Sequence, residues 1–525
     1  MSQECDSPLI FRLFAIESQN LMLGTHVRFP ERSATMKQTK RLLCMILALL
    51  MLVLPLTACG GQTDDPVVSD TVDGTVTSEV ETVDPVEDAL TALRGEVDWQ
   101  GGDIGMLYIN MFGYPEEVEA VANTGDSTGS GVINDAVWER NTLFEEYGNL
   151  NFVLIPIDTD NASGHVQREV QAGTGDFQLV TQPTGYTAGL ATTGVLYNYL
   201  NLDIDYDVEW WDAGTLDFAL DGRVFFMNGS FNFVDDDVTY LMTFNKKLHN
   251  DYNLANPYDL VRSGDWTMET FLSTVKGLST DNGDGVWNDE DTYALASSGS
   301  WDTFFYAADL KFVNSSRELE HPELAMDESD LERALNLLEW TRTLFHNDNI
   351  KYQGPEATNI FVDNRAFYFM EVASLLRSLN AQMEEEYGVI PAPKYDKNQK
   401  HHTAWSHDIG STLSMPTTVG ELDNDAFSRV LELYVVLSQK LVRPAYYDTM
   451  LTTRNVRDSD SAEMLHLIFS HRIYDMAVYF GELGFRELFS ISVGGANKFS
   501  SGYNRAASGF DKRVEKILKQ LNEAE

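Results

Sequence analysis

The chain has 525 residues, with 37 Lys and Arg against 81 Asp and Glu and a formal net charge of −44. Apolar residues make up 43%, enough to bury a core, which excludes wholesale disorder. Such an acid excess argues against nucleic acid as a partner and against a basic membrane-surface binder, because phosphate groups repel it.

Residues 1–35 read as an upstream extension outside the protein proper, since Glu4, Asp6, Glu17 and Glu31 stand where a basic segment is needed. From Met36 the pattern changes. Lys37, Lys40 and Arg41 precede an apolar run of 13 residues, Leu42 to Leu54. A membrane-spanning helix needs roughly 20, so residues 36–58 read as an export signal. Leu56-Thr57-Ala58-Cys59 resembles a bacterial lipobox. That resemblance implies a lipid on Cys59, the first residue of the mature chain. Cys5 and Cys44 would be lost with the signal, leaving the mature body without a free thiol or disulfide.

Residues 60–93 hold nine acids and no Lys, Arg or His. Low hydrophobicity with charge of one sign predicts an extended tether over 59–95. The folded body is expected from Val97. Asp103–Met111 reads as a strand and Ala136–Tyr147 as a helix closed by Gly148. Phe152–Ile157 is a continuous apolar run, the mark of a strand covered on both faces. His165–Ala172 reads as a helix and Phe177–Thr181 as a strand. This βαβ alternation predicts an α/β lobe.

Further on, Gly222–Asn228 and Thr239–Phe244 read as strands. Ser329-Asp330-Leu331-Glu332 has the form of a capping box. It would open a helix presenting Leu331, Leu335, Leu338 and Phe345 on one face. Arg365–Phe369 and Gly388–Ile390 are short strands. Amphipathic helices are predicted around Phe427–Leu441 and Phe510–Leu521.

Several motifs carry possible chemistry. Gly125-Asp126-Ser127-Thr128-Gly129 matches the serine-hydrolase pattern but lies in a polar run without the strand that an elbow needs. Asn282, Asp284 and Asp291 fall at calcium-loop positions 3, 5 and 12, but Thr280 occupies position 1. A tight Asx/Gly turn is the better reading there, with calcium the alternative and no other cofactor expected. His401, His402, His407 and Asp408 show no metal-ligand spacing and read as polar residues near a strand edge. Trp210, Trp211, Trp301 and Trp405 sit in polar contexts, where an indole can serve as a platform for the apolar face of a sugar ring, although for any one of them packing within a lobe core is the better reading.

The order of Phe244-Asn245-Lys246-Lys247-Leu248, Ser263-Gly264-Asp265-Trp266-Thr267, Phe367-Tyr368-Phe369, Gly388-Val389-Ile390-Pro391-Ala392-Pro393-Lys394-Tyr395 and Arg443-Pro444-Ala445-Tyr446-Tyr447-Asp448 resembles extracellular solute-binding proteins of ABC importers, family 1, the maltodextrin type. The resemblance runs from about Asp103 to about Tyr479; the stretch beyond departs from the pattern. It implies a two-lobed periplasmic-binding-protein-like α/β fold of type II, closing by a hinge on a solute. Chain crossings are then expected near Phe233–Val238, Lys394–His401 and Tyr446–Met450. Lobe one would comprise 96–236 and 400–448, and lobe two 237–399 and 449–525.

The function implied is a lipid-anchored extracellular receptor delivering a solute, an oligosaccharide, to ABC permease subunits. The expected protein is a monomer on the outer face of the cell membrane, with no catalytic residues. Expected ligand-binding residues are Tyr186, Asp236, Trp301, Glu371 and Trp405. The competing reading is a surface glycoside hydrolase using Asp236 and Glu371 as a carboxylate pair, or a glycan sensor or adhesin that transports nothing.

Overall fold

The computed structural model describes residues 84–111, 113–120, 131–159, 161–347, 350–451 and 459–524. The signal segment, Cys59 and the Gly125–Gly129 motif lie outside the described residues. Among the described residues, no helix is long and apolar enough to cross a membrane.

Order begins earlier than the composition predicts. Asp84 caps a helix over Pro85–Glu96 by accepting the Val86 amide, and Pro85 suits the first turn. Val86, Leu90 and Leu93 recur at helical spacing and are buried. They join the core cluster that holds Phe427, Val430 and Leu431, so the last dozen residues assigned to a tether belong to the folded body.

Strands β1 (Asp103–Ile109), β2 (Asn151–Ile157), β3 (Leu179–Pro183) and β4 (Phe226–Met227) come first in the chain. Next are β5 (Tyr240–Asn245), β6 (Tyr293–Ser297), the hairpin β7 (Val313–Asn314) and β8 (Glu323–Leu324), β9 (Lys351–Gln353), β10 (Ala366–Val372) and β11 (Tyr387–Ile390). The last are β12 (Ala404–Trp405), β13 (Ser411–Ser414) and β14 (Arg472–Ile473). Two five-stranded sheets result, in the orders β2-β1-β3-β13-β4 and β11-β5-β10-β6-β9. β1 pairs in parallel with β2 and β3, and β13 runs antiparallel between β3 and β4. In the second sheet β5 runs antiparallel between β10 and β11, while β10, β6 and β9 are mutually parallel. Each sheet is the centre of one lobe.

Several local expectations shift. The apolar run Phe152–Ile157 forms β2, but at a sheet edge, with only Ile157 buried. Pro156, which has no N–H to give, is tolerated there. The helix predicted over Ala136–Tyr147 spans Gly131–Gly148, and the left-handed residue that ends it is Asn149 (φ 45°), not Gly148. The capping box lies two residues upstream of its predicted place: Asp327 and Asp330 cap Glu328–Phe345. Leu335 therefore faces outward, while Ala334, Leu337, Leu338, Thr341 and Leu344 are buried.

The second crossing also moves. Gln399 and Thr403 still donate side-chain hydrogen bonds to carbonyls of the Asp302–Ala307 helix, at Ala307 (2.8 Å) and Tyr306 (2.7 Å). The Asp408 carbonyl accepts the Gly185 amide at the end of β3 (2.9 Å). The chain thus passes between lobes over about 403–408, after the predicted Lys394–His401. There β12 pairs with β14, and Ser406 bridges Thr239. The helix Arg443–Leu451 packs on both Gly131–Gly148 of the first lobe and Leu375–Gln382 of the second.

Candidate functional site

The crossings meet at the short helix Val234–Asp237, which carries three consecutive buried acids. Three buried carboxylates in one turn would repel each other and lose hydration, so each needs a cation. Arginines from three separate segments supply them. Asp235 sits 2.8 Å from the Arg472 guanidinium and accepts Ser406 Oγ (2.6 Å) and the Tyr474 hydroxyl (2.7 Å). Asp236 is clamped between Arg443 and Arg472. Asp237 pairs with Arg377 and accepts the Tyr446 hydroxyl at 2.9 Å. Arg472 also reaches Asp212 at 2.6 Å. Burial raises the Asp235 carboxyl, against the pull of Arg472, and lifts Asp237 to about 6.

Glu117 seats this hinge helix. One of its oxygens accepts the amides of Phe233 and Val234, at 2.6 and 2.5 Å, and Ser411 Oγ at 2.9 Å. Burial nonetheless pushes its carboxyl up to about 8, outweighing those three donors.

Strand ends from both lobes lie next to these crossings. On the first lobe, Gly185 and Tyr186 follow β3. A Cβ at Gly185 would lie 3.1 Å from Asp408 Oδ2, so the small residue lets that carboxylate approach the backbone. Tyr114 donates to the Ile409 carbonyl at 2.5 Å, holding the turn after β1 to the second crossing. Asp408 accepts His407 Nδ1 (2.8 Å) and Arg486 (2.5 Å). Its burial opposes charge, but the His407 ring and the Arg486 guanidinium beside it hold the carboxyl below the usual range.

On the second lobe, Ser298 follows β6 and donates to Glu371 at the end of β10. A Cβ at Gly299 would meet the Tyr240 ring at 2.8 Å and Glu371 Oε1 at 3.4 Å. That position therefore brings the β6 loop, the aromatic ring and the acid together. Tyr240 stacks on Trp405 with centroids 5.1 Å apart and an interplanar angle of 14°. His407 lies 5.8 Å from Trp405, and Tyr306 lies 5.2 Å away. Burial, then the Glu371 charge, raises the Tyr240 hydroxyl well above its ordinary value. The arrangement offers a carboxylate and hydroxyls, groups that take sugar hydroxyls, braced by a buried aromatic stack.

Three of the five expected ligand residues lie next to these crossings. Tyr186 and Glu371 are half-buried at strand ends, and Trp405 (5% exposed) lies behind them in the aromatic stack. Two do not. Asp236 is fully buried and held by two arginines, so it serves the hinge and is closed to a solute. Trp301 is 3% exposed and packs against Phe304 and Phe345. Its Nε1 donates to Gln353 at 2.9 Å, so the indole belongs to the core of the second lobe. Trp210 and Trp211 are likewise buried in the first lobe, with Trp210 Nε1 bound to Glu432.

Sequence reasoning missed Tyr240, Ser298, Arg486 and the role of His407-Asp408. Only Tyr240 had a local signal, as an aromatic next to a crossing. The other groups come together from segments far apart in the chain.

The Asp/Gly loop satisfies itself. Asp291 uses both oxygens to accept the amides of Asn282 and Asn288, and Asp281 accepts those of Gly283 and Gly285. Asn282 and Asp284 each accept an amide two residues on. Among the described residues, no group of three or more His, Cys, Asp or Glu side chains is placed to hold a metal ion.

No protein-family model and no curated protein matches the chain. Solved structures do. A cyclo/maltodextrin-binding protein complexed with maltotetraose aligns with TM-score 0.50 at 12% identity, covering 80% of this chain and 96% of that one. UspC from M. tuberculosis aligns with TM-score 0.50 at 12% identity, over 78% of this chain and 100% of the other. At that identity the likeness concerns the fold. The architecture is the two-lobed α/β fold of periplasmic-binding-protein type.

Proposed function

We propose that this chain is an extracellular solute receptor that closes two lobes over an oligosaccharide and presents it to an ABC permease. The carrying observation is the set of strand-end groups beside the crossings, Glu371 and Ser298 on one lobe and Tyr186 on the other, together with the Tyr240–Trp405 stack. The fold likeness to a maltodextrin-binding protein supports the reading. The lipobox-like quartet ending at Cys59 supports attachment to the outer face of the membrane by lipid. The hydrolase reading loses its acid pair, because Asp236 is sealed between arginines.

A thermal-shift panel of neutral, amino and acidic glycans on the full chain in detergent tests this. A true ligand at a hundredfold excess over its Kd stabilises by about 2.7 kcal/mol. A panel of peptides and polyamines that shifts the melting temperature while every glycan fails would sink the sugar assignment. With a ligand in hand, Glu371→Gln is expected to weaken binding by about 1.5–3 kcal/mol, the worth of a charge-assisted hydrogen bond, at unchanged melting temperature. Calorimetry on the variant reads this directly.

A further inference from the structure

The segment after β14 is not absorbed by the site described above, yet it touches both lobes in turn. Tyr479 donates to the Ser406 carbonyl at 2.9 Å, and its ring packs on Phe218 at 4.8 Å. Phe480 stacks on Phe226, a residue of β4 in the first sheet. Five residues on, Phe485 lies 5.2 Å from Phe312, and Phe489 lies 5.5 Å from Phe305. Both of those partners belong to the second lobe. The chain turns between these anchorages at two left-handed residues, Gly484 (φ 85°) and Glu487 (φ 56°). Glu487 pays a steric penalty in that region, since it has a Cβ and no local hydrogen-bonding advantage there.

Arg486 sits inside this turn. Its neighbours Phe485 and Phe489 are fully buried and fix it to the second lobe. Its own side chain is 43% exposed and reaches Asp408 at 2.5 Å. Asp408 belongs to the first lobe: its carbonyl takes the Gly185 amide, Gly410 takes the Thr184 amide at 2.8 Å, and β13 follows directly. Asp408 is buried, so separating the lobes would strip a buried carboxylate of its arginine. It would keep only His407, 2.8 Å away, and a buried carboxylate that loses its guanidinium is disfavoured.

We propose that the Arg486–Asp408 pair is a latch between the lobes, carried by a strap over residues 474–489, which biases the protein toward the closed state before any solute arrives. The strap and its turn put the latch beside Gly185, in the helix that follows β3. The inference goes beyond the proposed function and does not depend on which solute binds.

The body between residues 84 and 525 contains no cysteine, which allows clean pair labelling. The full chain with Cys5, Cys44 and Cys59 replaced by Ser would carry spin labels at Glu139→Cys and Glu339→Cys. These positions are exposed on the Gly131–Gly148 helix of the first lobe and the Glu328–Phe345 helix of the second. Distances are measured by pulsed electron resonance without solute. Arg486→Ala and Asp408→Asn are each expected to lengthen and broaden the distribution, whereas Arg486→Lys should stay near the parent. Distributions that match the parent in both Arg486→Ala and Asp408→Asn, with circular dichroism showing folded protein, would overturn the latch. Because no glycan is present, a failed glycan panel would count against the proposed function and leave this result standing.

Discussion

Replacing Arg472 with Ala is expected to cost about 3–5 kcal/mol of folding stability, the usual penalty for leaving buried charges without their partner. The side chain is almost wholly buried and meets Asp212, Asp235 and Asp236 together. Arg443 and Arg377 remain in the variant, but they serve Asp236 and Asp237. Asp235 would keep only Ser406 and Tyr474, two neutral donors. Its carboxyl, already raised by burial, would favour the protonated form still more. Urea unfolding at neutral pH measures the loss, and part of it should return at low pH, where Asp235 is protonated. A variant within about 1 kcal/mol of the parent at pH 7 would mean that the acid triplet does not depend on this arginine.

The second large effect is expected from pH, through Glu117. Its folded-state value is raised from 4.5 to about 8, chiefly by burial. The folded protein therefore holds a proton that the unfolded chain releases earlier. The stabilisation is fully present below the unfolded value near 4.5 and is lost as pH rises through about 8. At about 1.36 kcal/mol per unit, the full swing is on the order of 5 kcal/mol. Asp237 and Asp475, both raised to about 6 by burial, act with the same sign over a lower range. Between pH 6 and pH 8.5, Glu117 is the main one of these three still titrating. Denaturant unfolding across that window should show the parent losing stability steadily, while Glu117→Gln gives a flatter line. Parallel lines would place the Glu117 proton elsewhere. A Gln can still accept the Phe233 and Val234 amides, so the hinge helix keeps its seat in the control variant.

Much of the α/β architecture was legible in the residues because it rests on local patterns. The apolar runs of β1, β3, β5 and β10, and the helical spacing around Phe427, follow from backbone periodicity and burial alone. So does the Asp/Gly turn, whose acids bind amides within ten residues of themselves. The early helix Pro85–Glu96 was hidden because its acids, Glu87 and Asp88, continue the composition of the preceding run. Only three apolar positions separate it from that run, and their value depends on the Phe427 helix they pack against.

The site divides differently. Strand-end placement pointed to Tyr186 and Glu371 because a strand's length and its turn are local properties. An indole's surroundings are not local: Trp301 and Trp405 look alike in sequence, yet one packs on Phe304 and Phe345 within the second lobe and the other on Tyr240 and Tyr306 at the second crossing. The same holds for acids. Asp236 and Asp408 both follow crossings, but whether a carboxylate meets solvent depends on cations brought from Arg443, Arg472 and Arg486, between 78 and 236 residues away. Sequence by itself determined about half of the strands and the longer amphipathic helices, through periodicity, while the two-lobed class came from the resemblance carried by the order of motifs. Tertiary structure alone decided which charges neutralise each other. Burial makes pairing obligatory, but the partner is whichever group the fold delivers to that point.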